Sequence, residues 1–126
     1  MREPRSNGHR RRRVADDCLF CKIARKEIPA TIVAESPECV AFRDINPQAP
    51  THVLVIPREH VASLNEARDP AAIGRLALFA ADIAKREGIA EGGYRTVINT
   101  NADAGQTVFH VHLHLLGGRS FRWPPG

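Results

Sequence analysis

The sequence has no long apolar run and no apolar stretch that could act as a secretion signal. None of its hydrophobic segments approaches the ~20 residues that a membrane-spanning helix needs. The N-terminal region instead carries Arg10 to Arg13 with nothing apolar behind it, so a signal peptide is not expected. These absences predict a protein that has no membrane partner, and the cytoplasm is its expected compartment.

Cysteine and aromatic residues are also scarce. The 126 residues include three cysteines, one tryptophan, one tyrosine and five phenylalanines. An odd number of cysteines without a secretion signal predicts reduced thiols rather than a disulfide framework. Hydrophobic residues at 43% and charged residues at 25% are ordinary values for a globular domain. They exclude a collagen-like or largely disordered chain.

Positive charge is concentrated at the start of the chain. Residues 1–13 hold six arginines and one glutamate, so their formal net charge is +5. Because the whole chain has a formal net charge of +4, residues 14–126 have a net charge of −1. The first segment has almost nothing apolar to bury and is predicted to be a disordered arm. It fits a solubilising tail or a polyanion-binding arm, and nucleic acid binding is expected only through it. Residues 14–126 are expected to form a single domain.

The pattern of apolar residues predicts an α+β domain with a largely antiparallel sheet. A short helix is expected over residues 19–26 and a long one over residues 70–87. The long helix has Asp69 as a good N-cap, Pro70 at its first position and Gly88 as its stop. Strands are expected over residues 31–35, 40–43, 52–57, 94–99 and 107–116.

Three histidines recur at alternate positions in the last expected strand. They are His110, His112 and His114. Because side chains alternate across a strand, the three imidazoles are predicted to share one face. The residues of the opposite face are apolar: Phe109, Val111, Leu113 and Leu115. One face is therefore expected to be buried, and the histidine face to carry function.

Two chemical interpretations of the histidine face compete. Histidines on a strand can bind a zinc ion that activates water. Alternatively, one imidazole is a nucleophile and its neighbours fix its tautomer and handle protons. The loop over residues 99–107 favours the second interpretation for His112, because N–H groups near Gly105 and the hydroxyl of Thr107 suit a phosphate oxyanion.

Several separated motifs resemble the histidine triad nucleotide-binding proteins. They are residues 44–52, with Asp-Ile-x-Pro-Gln-Ala-Pro-Thr-His, then 55–57, Val-Ile-Pro, then 105–114, Gly-Gln-Thr-Val-Phe-His-Val-His-Leu-His, then 117–119, Gly-Gly-Arg, and 123–126, Trp-Pro-Pro-Gly. The resemblance covers residues 16–126. It implies a homodimeric purine nucleoside phosphoramidase, which hydrolyses P–N bonds of AMP and GMP derivatives through a nucleotidyl-histidine intermediate. It also implies that no cofactor is required for the chemistry.

The resemblance assigns roles to individual residues. The nucleophile falls on His112, supported by His52, His110 and His114, and Thr107 falls on the phosphate-contacting position. The ribose-binding acid is Asp44, whose carboxylate can accept from two hydroxyls. The other nucleotide-binding positions are Ile45, Asn99, Gly105, Gln106, Leu19, Phe20, Ile23, Phe42 and Trp123. The base pocket is assigned to Leu19, Phe20, Ile23 and Phe42, for which ordinary core packing is an equally good explanation.

The chain carries a Cys-x-x-Cys pair, and in this it differs from the branch of the family that its C-terminus resembles most. Other members of the family hold a structural zinc with such a pair and two histidines, which correspond here to Cys18, Cys21, His60 and His110. Two thiolates and two imidazoles form a reasonable tetrahedral set. A zinc ligand at His110 conflicts with a purely catalytic role. Inert thiols and a redox pair are the alternatives, although no βαβ unit surrounds the pair.

Two other functions are alternatives to the phosphoramidase. A nucleotide-binding module with little turnover and a metal-dependent hydrolase would both use the same residues.

The tail after Phe121 carries Trp123 and two prolines, so it can neither extend a sheet nor form a helix. It can fold back on its own subunit. The resemblance implies instead that it crosses a two-fold dimer to the partner's nucleophile.

Overall fold

A computed structural model describes residues 17–126, and the predicted N-terminal arm lies outside them. Its main elements are α1 (Leu19–Ala24), β1 (Ile32–Glu35), β2 (Cys39–Arg43), β3 (Thr51–Pro57), α2 (Pro70–Arg86), β4 (Tyr94–Val97) and β5 (Leu113–Gly117). The strands form an antiparallel sheet in the order β1-β2-β3-β5-β4. The prediction of an α+β fold with one long and one short helix is confirmed.

The sheet has an apolar core on each face because its central strand is buried along its whole length. In β3 every residue is buried. Val53 and Val55 pack with the buried face of α2, whereas Leu54 and Ile56 pack with α1 on the opposite side. This alternation follows from the two-residue period of a strand. Among residues 17–126, no helix is both long and apolar enough to cross a bilayer.

The long helix α2 begins and ends where its capping residues predict. The Asp69 side chain accepts a hydrogen bond from the N–H of Ala71 at 3.0 Å, and Pro70 follows at the first helical position. At the other end, Gly88 adopts a φ of +75°, a conformation that glycine reaches without steric cost. The buried face comprises Leu76, Ala80, Ile83 and Ala84.

The short helix α1 is two residues shorter than predicted. It ends at Ala24, and Lys26 takes a left-handed φ of 62°, which a continuing helix cannot accommodate. The Arg58 guanidinium then ties this end to the sheet, donating to the carbonyls of Ala24 at 3.3 Å and Ser36 at 2.9 Å. The helix that carries both predicted metal-binding cysteines is thereby fixed against the first hairpin.

The predicted strands around the histidine row are too long. The strand expected over residues 107–116 begins only at Leu113, and the one expected over residues 94–99 ends at Val97. Upstream of β5 the chain bonds elsewhere, because the N–H of Val111 donates to Val61 outside the sheet. The carbonyl oxygen of Pro57, the last residue of β3, lies 2.7 Å from Nε2 of His110.

Candidate active site

The three histidines of the row lie on one side of the sheet, although only His114 belongs to β5. Val111, Leu113 and Leu115 pack into the core under α2, so the predicted alternation continues beyond the end of the strand. Phe109 was expected on that apolar face, and this expectation is wrong, since the side chain is 49% exposed. The chain bends at residues 108–110 and no longer follows a strand period.

His112 is held in one tautomer by a backbone carbonyl. Its Nδ1 lies 2.7 Å from the carbonyl oxygen of His110, and the side chain is 7% exposed. A carbonyl oxygen only accepts, so Nδ1 must carry the hydrogen and Nε2 keeps its lone pair. Phe20 packs edge-on against the ring, with centroids 5.0 Å apart at 87°. This is the arrangement that a nucleophilic imidazole requires.

A second chain of hydrogen bonds sets the tautomers of His52 and His114. The N–H of Gln48 donates to Nδ1 of His52 at 3.0 Å, so the hydrogen of a neutral His52 is on Nε2. That Nε2 lies 2.9 Å from Nδ1 of His114 and 3.4 Å from Asp44 Oδ2. His52 therefore donates to His114, which leaves the hydrogen of a neutral His114 on its own Nε2.

Burial keeps these histidines uncharged at neutral pH. Desolvation lowers the pKa of His52, with the Asp44 carboxylate acting in the opposite direction. Desolvation, together with His112 and His52, lowers the pKa of His114 to about 4. Neutral imidazoles can each accept at one nitrogen and donate at the other, as the chain of hydrogen bonds requires.

Asp44 directly follows β2, and one of its two carboxylate oxygens accepts a hydrogen bond from the backbone. Its Oδ1 accepts from the N–H of Asn46 at 2.8 Å, which fixes the side chain, and the carboxylate is 18% exposed. The neighbouring Ile45 is fully exposed at 100%. Asp44 therefore presents a fixed acceptor at the surface beside His52, as expected of a residue that binds two adjacent hydroxyls.

The loop before the histidine row is tightly folded. Asn101 has a φ of 66° and Gly105 a φ of 89°, on either side of the short 3-10 turn Ala102–Ala104. Gly105 and Thr107 are exposed, whereas Asn99 is half-buried at the exit from β4. Gln106 was also expected to bind nucleotide, but its side chain is buried and bonded to backbone. It has no exposed polar group for a ligand.

The residues assigned to the base pocket mostly form core. Phe20 and Ile23 of α1 and Phe42 of β2 are buried in the core between α1 and the sheet. The rings of Phe20 and Phe42 meet edge to face at 5.4 Å. Leu19 is 48% exposed. Core packing thus accounts for three of the four residues, and Leu19 keeps surface that a base could contact.

Cys18, Cys21, His60 and His110 come together as the sequence predicts. Sγ of Cys18 lies 3.3 Å from Nδ1 of His110, and Sγ of Cys21 lies 3.4 Å from Nδ1 of both His60 and His110. With Zn–S near 2.3 Å and Zn–N near 2.0 Å, tetrahedral ligands lie about 3.5 Å apart. The distances therefore fit a zinc ion at the centre of the four atoms.

The surroundings of His110 also fit a metal ligand. Its ring is fully buried, with Nε2 2.7 Å from the Pro57 carbonyl. That carbonyl holds the hydrogen on Nε2 and leaves a lone pair on Nδ1, facing the cysteines. Burial lowers the pKa of His110 to about 4. The ring of His110 thus faces the cysteines, and its backbone carbonyl is the part that contacts His112.

A second group of possible ligands comprises Asp44, His52 and His114, which also lie within 4.8 Å of one another. Here the hydrogen bonding disfavours a metal. The donation from Gln48 requires a hydrogen on Nε2 of His52, so the nitrogen that faces the group has no lone pair to give. This geometry favours the hydrogen-bonded chain over the metal-dependent hydrolase.

Backbone atoms are the functional groups that the sequence does not reveal. The N–H of Gln48 and the carbonyls of Pro57 and His110 fix the tautomers of three histidines. Every residue has such groups, so no residue type marks them. The only signal is indirect, since Gln48 lies in the proline-bounded loop 46–50 and Pro57 ends an apolar run.

Comparison with known proteins agrees with this geometry. The HIT domain family matches residues 25–121. The chain is 51% identical over 108 residues to the purine nucleoside phosphoramidase of Escherichia coli strain K12, covering 84% of this chain and 91% of that protein. It is 56% identical over 115 residues to an uncharacterized HIT-like protein of Synechococcus elongatus, covering 90% and 100% respectively.

A solved structure extends the agreement to three dimensions. The HIT family hydrolase from Legionella pneumophila Philadelphia 1 superposes with a TM-score of 0.85 at 53% identity, over 87% of this chain and 100% of that one. A histidine triad protein from Clostridium difficile follows with a TM-score of 0.81 at 41% identity, over 84% and 94%. The expectation of an enzyme is confirmed, and the chain belongs to the HIT domain family.

Proposed function

We propose that this protein is a purine nucleoside phosphoramidase that works through a covalent nucleotide adduct on His112. The observation that carries the proposal is the hydrogen bond from Nδ1 of His112 to the His110 carbonyl, which leaves Nε2 as the attacking atom. The likeness to the Escherichia coli phosphoramidase supports the substrate class. AMP and GMP derivatives with a P–N bond are the proposed substrates.

The proposed first step replaces one P–N bond with another. The lone pair on Nε2 of His112 attacks phosphorus, and the bond from phosphorus to the substrate amine breaks with its electron pair going to that nitrogen. The departing nitrogen takes up a proton from solvent as this bond breaks, so it leaves as a neutral amine. The hydrogen bond to the His110 carbonyl then stabilises the cationic imidazole of the adduct.

In the second step water attacks phosphorus and the bond to Nε2 breaks. The oxygen of water stays on the nucleotide, its proton passes to the phosphate or to solvent, and His112 recovers its lone pair. Throughout, Nε2–H of His114 can donate to a phosphoryl oxygen, because Nδ1 of that ring accepts from His52. The N–H and the hydroxyl of the exposed Thr107 are proposed to hold the other phosphoryl oxygens.

A direct test is to look for the adduct. Enzyme mixed with adenosine 5′-phosphoramidate and denatured during turnover should gain the mass of one AMP less one water, on a peptide containing His112. Turnover of a fluorogenic adenosine phosphoramidate is then compared with and without a brief chelator treatment that leaves the protein folded. Tight AMP binding without turnover would favour the binding module, and turnover that vanishes while the fold persists would favour the metal-dependent hydrolase.

Asp44 is proposed to recognise the ribose hydroxyls. Replacing Asp44 with alanine should weaken AMP binding by about 1.5 to 3 kcal/mol, the cost of losing a hydrogen bond to a charged group. Binding of 2′,3′-dideoxy-AMP should barely change, since that ligand has no hydroxyl to donate. Calorimetric titration of both ligands measures the difference, and Asp44→Asn, which can keep the bond from Asn46, separates charge from loop structure. Equal losses for the two ligands would make Asp44 a structural residue.

We propose a homodimer in which the tail completes the partner's site. Trp123 is 82% exposed, and Leu78 on the outer face of α2 is 71% exposed. Phe121 is meanwhile held between two guanidinium groups, 4.2 Å from that of Arg119 and 5.2 Å from that of Arg95. The tail is thus anchored at its base while its largest side chain projects outward, which suits a contact with a second subunit.

Mixed dimers distinguish a tail that acts on the partner from one that acts on its own subunit. A dimer of a Trp123→Ala subunit and a His112→Ala subunit should have one intact site, with near wild-type kcat/KM for that site. The intact His112 then faces the intact tail of its partner. If the tail serves its own subunit, the mixed dimer keeps the defect of Trp123→Ala. Separately tagged subunits purified as mixed dimers provide the measurement.

A further inference from the structure

The side chain of Gln106 closes the loop that precedes the histidine row. Its Oε1 accepts from the backbone N–H of Asn101 at 2.8 Å, and the backbone N–H of Gln106 donates to the Asn101 carbonyl at 3.1 Å. The two residues are thereby joined twice across the Ala102–Ala104 turn. This closed ring holds Asn101 and Gly105 in their left-handed conformations.

The other end of the same amide ties the loop to two further segments. Nε2 of Gln106 donates to the carbonyl of Ala62 at 2.8 Å and to that of Val108 at 3.1 Å. Ala62 follows the segment that carries His60, and Val108 leads into the histidine row. Val111 bonds to Val61 nearby, so the two segments run side by side from the loop towards the nucleophile.

This amide is buried and hydrogen-bonded at both its oxygen and its nitrogen. Both of its hydrogens and one acceptor position are used, and the residue is 5% exposed. A buried amide costs free energy unless it is fully bonded, and here every partner is backbone of a different segment. The neighbouring Gly105 and Thr107 are exposed. Gln106 therefore fixes the backbone on both sides of the groups that face a ligand.

We propose that Gln106 is a positioning residue that preorganises the loop for the phosphoryl group of the substrate. It touches no ligand; it holds the N–H and the hydroxyl of the exposed Thr107 in place before the substrate arrives. Donors fixed in advance need no reorganisation as charge develops on phosphoryl oxygens, which is why such donors strengthen the transition state. The inference rests on the proposed role of this loop in phosphate binding.

The test compares ligands that differ only in the phosphate. In Gln106→Met, which keeps the length of the side chain and loses its hydrogen bonds, AMP affinity should fall about tenfold or more, with a similar fall in kcat. Adenosine affinity should stay at the wild-type value, because ribose and base contacts are elsewhere. Hydrogen exchange at the amides of Asn101 and Gln106 should accelerate in the same variant.

Two further variants separate positioning from stability. Ile83→Val removes one methyl group from the core under α2 and should lower the melting temperature without changing the ratio of AMP to adenosine affinity. Gln106→Glu keeps an oxygen for Asn101 but loses the N–H donors, so it should reproduce the phosphate-specific defect if Gln106→Met does not fold.

The outcomes are distinct from those that test the reaction. A Gln106 variant that keeps the wild-type ratio of AMP to adenosine affinity, or weakens both ligands equally, would overturn the positioning role. A wild-type protein that binds AMP no better than adenosine would overturn it as well. If the wild-type protein prefers AMP to adenosine but hydrolyses no phosphoramidate, the proposed reaction is wrong. The Gln106 variants would still decide whether this residue positions the loop.

Discussion

Replacing His112 with alanine should reduce phosphoramidate turnover by at least about a thousandfold, because the step that forms the covalent bond has no other nucleophile. AMP affinity should change little, since Asp44 and the phosphate loop are untouched. His52 and His114 remain hydrogen-bonded to each other in the variant, so they cannot replace the lost lone pair in the right place. Steady-state kinetics and calorimetric binding together separate the loss of chemistry from the loss of affinity.

The controls for this result follow from the packing around His112. The ring is buried against Phe20, so thermal unfolding must show that the variant remains folded at the assay temperature. Phe109→Ala gives a matched control in the same segment, because Phe109 is exposed and has no assigned role at the site. A loss of only a few-fold in His112→Ala would contradict the assignment, as would AMP-modified protein in its denatured mass spectrum.

Local sequence signals were sufficient for the elements whose ends are set by short-range chemistry. Asp69, Pro70 and Gly88 mark the ends of α2 because capping, a fixed proline φ and a left-handed glycine act within one turn. The burial of β3 was likewise predictable from its run of β-branched residues. The site residues named from the motifs do converge, since His52, His112 and His114 lie side by side with ring centroids about 5 Å apart.

Long-range hydrogen bonds account for what the sequence could not predict. The period of the histidine row suggested a continuous strand, yet the bond from Val111 to Val61 draws the chain away from the sheet before Leu113. The family resemblance assigned Gln106 to nucleotide binding. Its side chain instead bonds to backbone groups of Asn101, Val108 and the distant Ala62, and such pairing depends on the folded structure rather than on residue type.

His110 joins His112, the proposed nucleophile, to the cysteine cluster. Its ring points to Cys18 and Cys21, whereas its carbonyl accepts from His112. Phe20 makes a second connection, since it lies between the two cysteines in sequence and packs against the His112 ring. Whatever holds the cysteine cluster together therefore also fixes the nucleophile from two sides. A zinc ion is the proposed agent, in a reducing compartment such as the cytoplasm, where both thiols stay available.

Of the changes proposed for this protein, loss of zinc should therefore cause the largest decrease in stability. Structural zinc sites couple metal binding to folding, so removing the ion should lower the melting temperature by on the order of 10 °C or more. Cys21→Ser should do the same, because the hydroxyl is a poor zinc ligand. Protein purified without a histidine tag should contain one zinc per chain by elemental analysis, and Cys21→Ser should contain far less.

Cys39 provides the matched control, because it is a buried thiol in β2 outside the cluster. Cys39→Ala should lose some packing energy yet keep a full equivalent of zinc. Cobalt can replace zinc as a spectroscopic probe, and thiolate-to-cobalt absorption should appear in wild type and Cys39→Ala but not in Cys21→Ser. Sub-stoichiometric zinc in the wild type, or equal melting temperatures for Cys21→Ser and Cys39→Ala, would indicate that Cys18 and Cys21 are inert thiols. A disulfide between Cys18 and Cys21 forming reversibly in the native protein would favour the redox alternative instead.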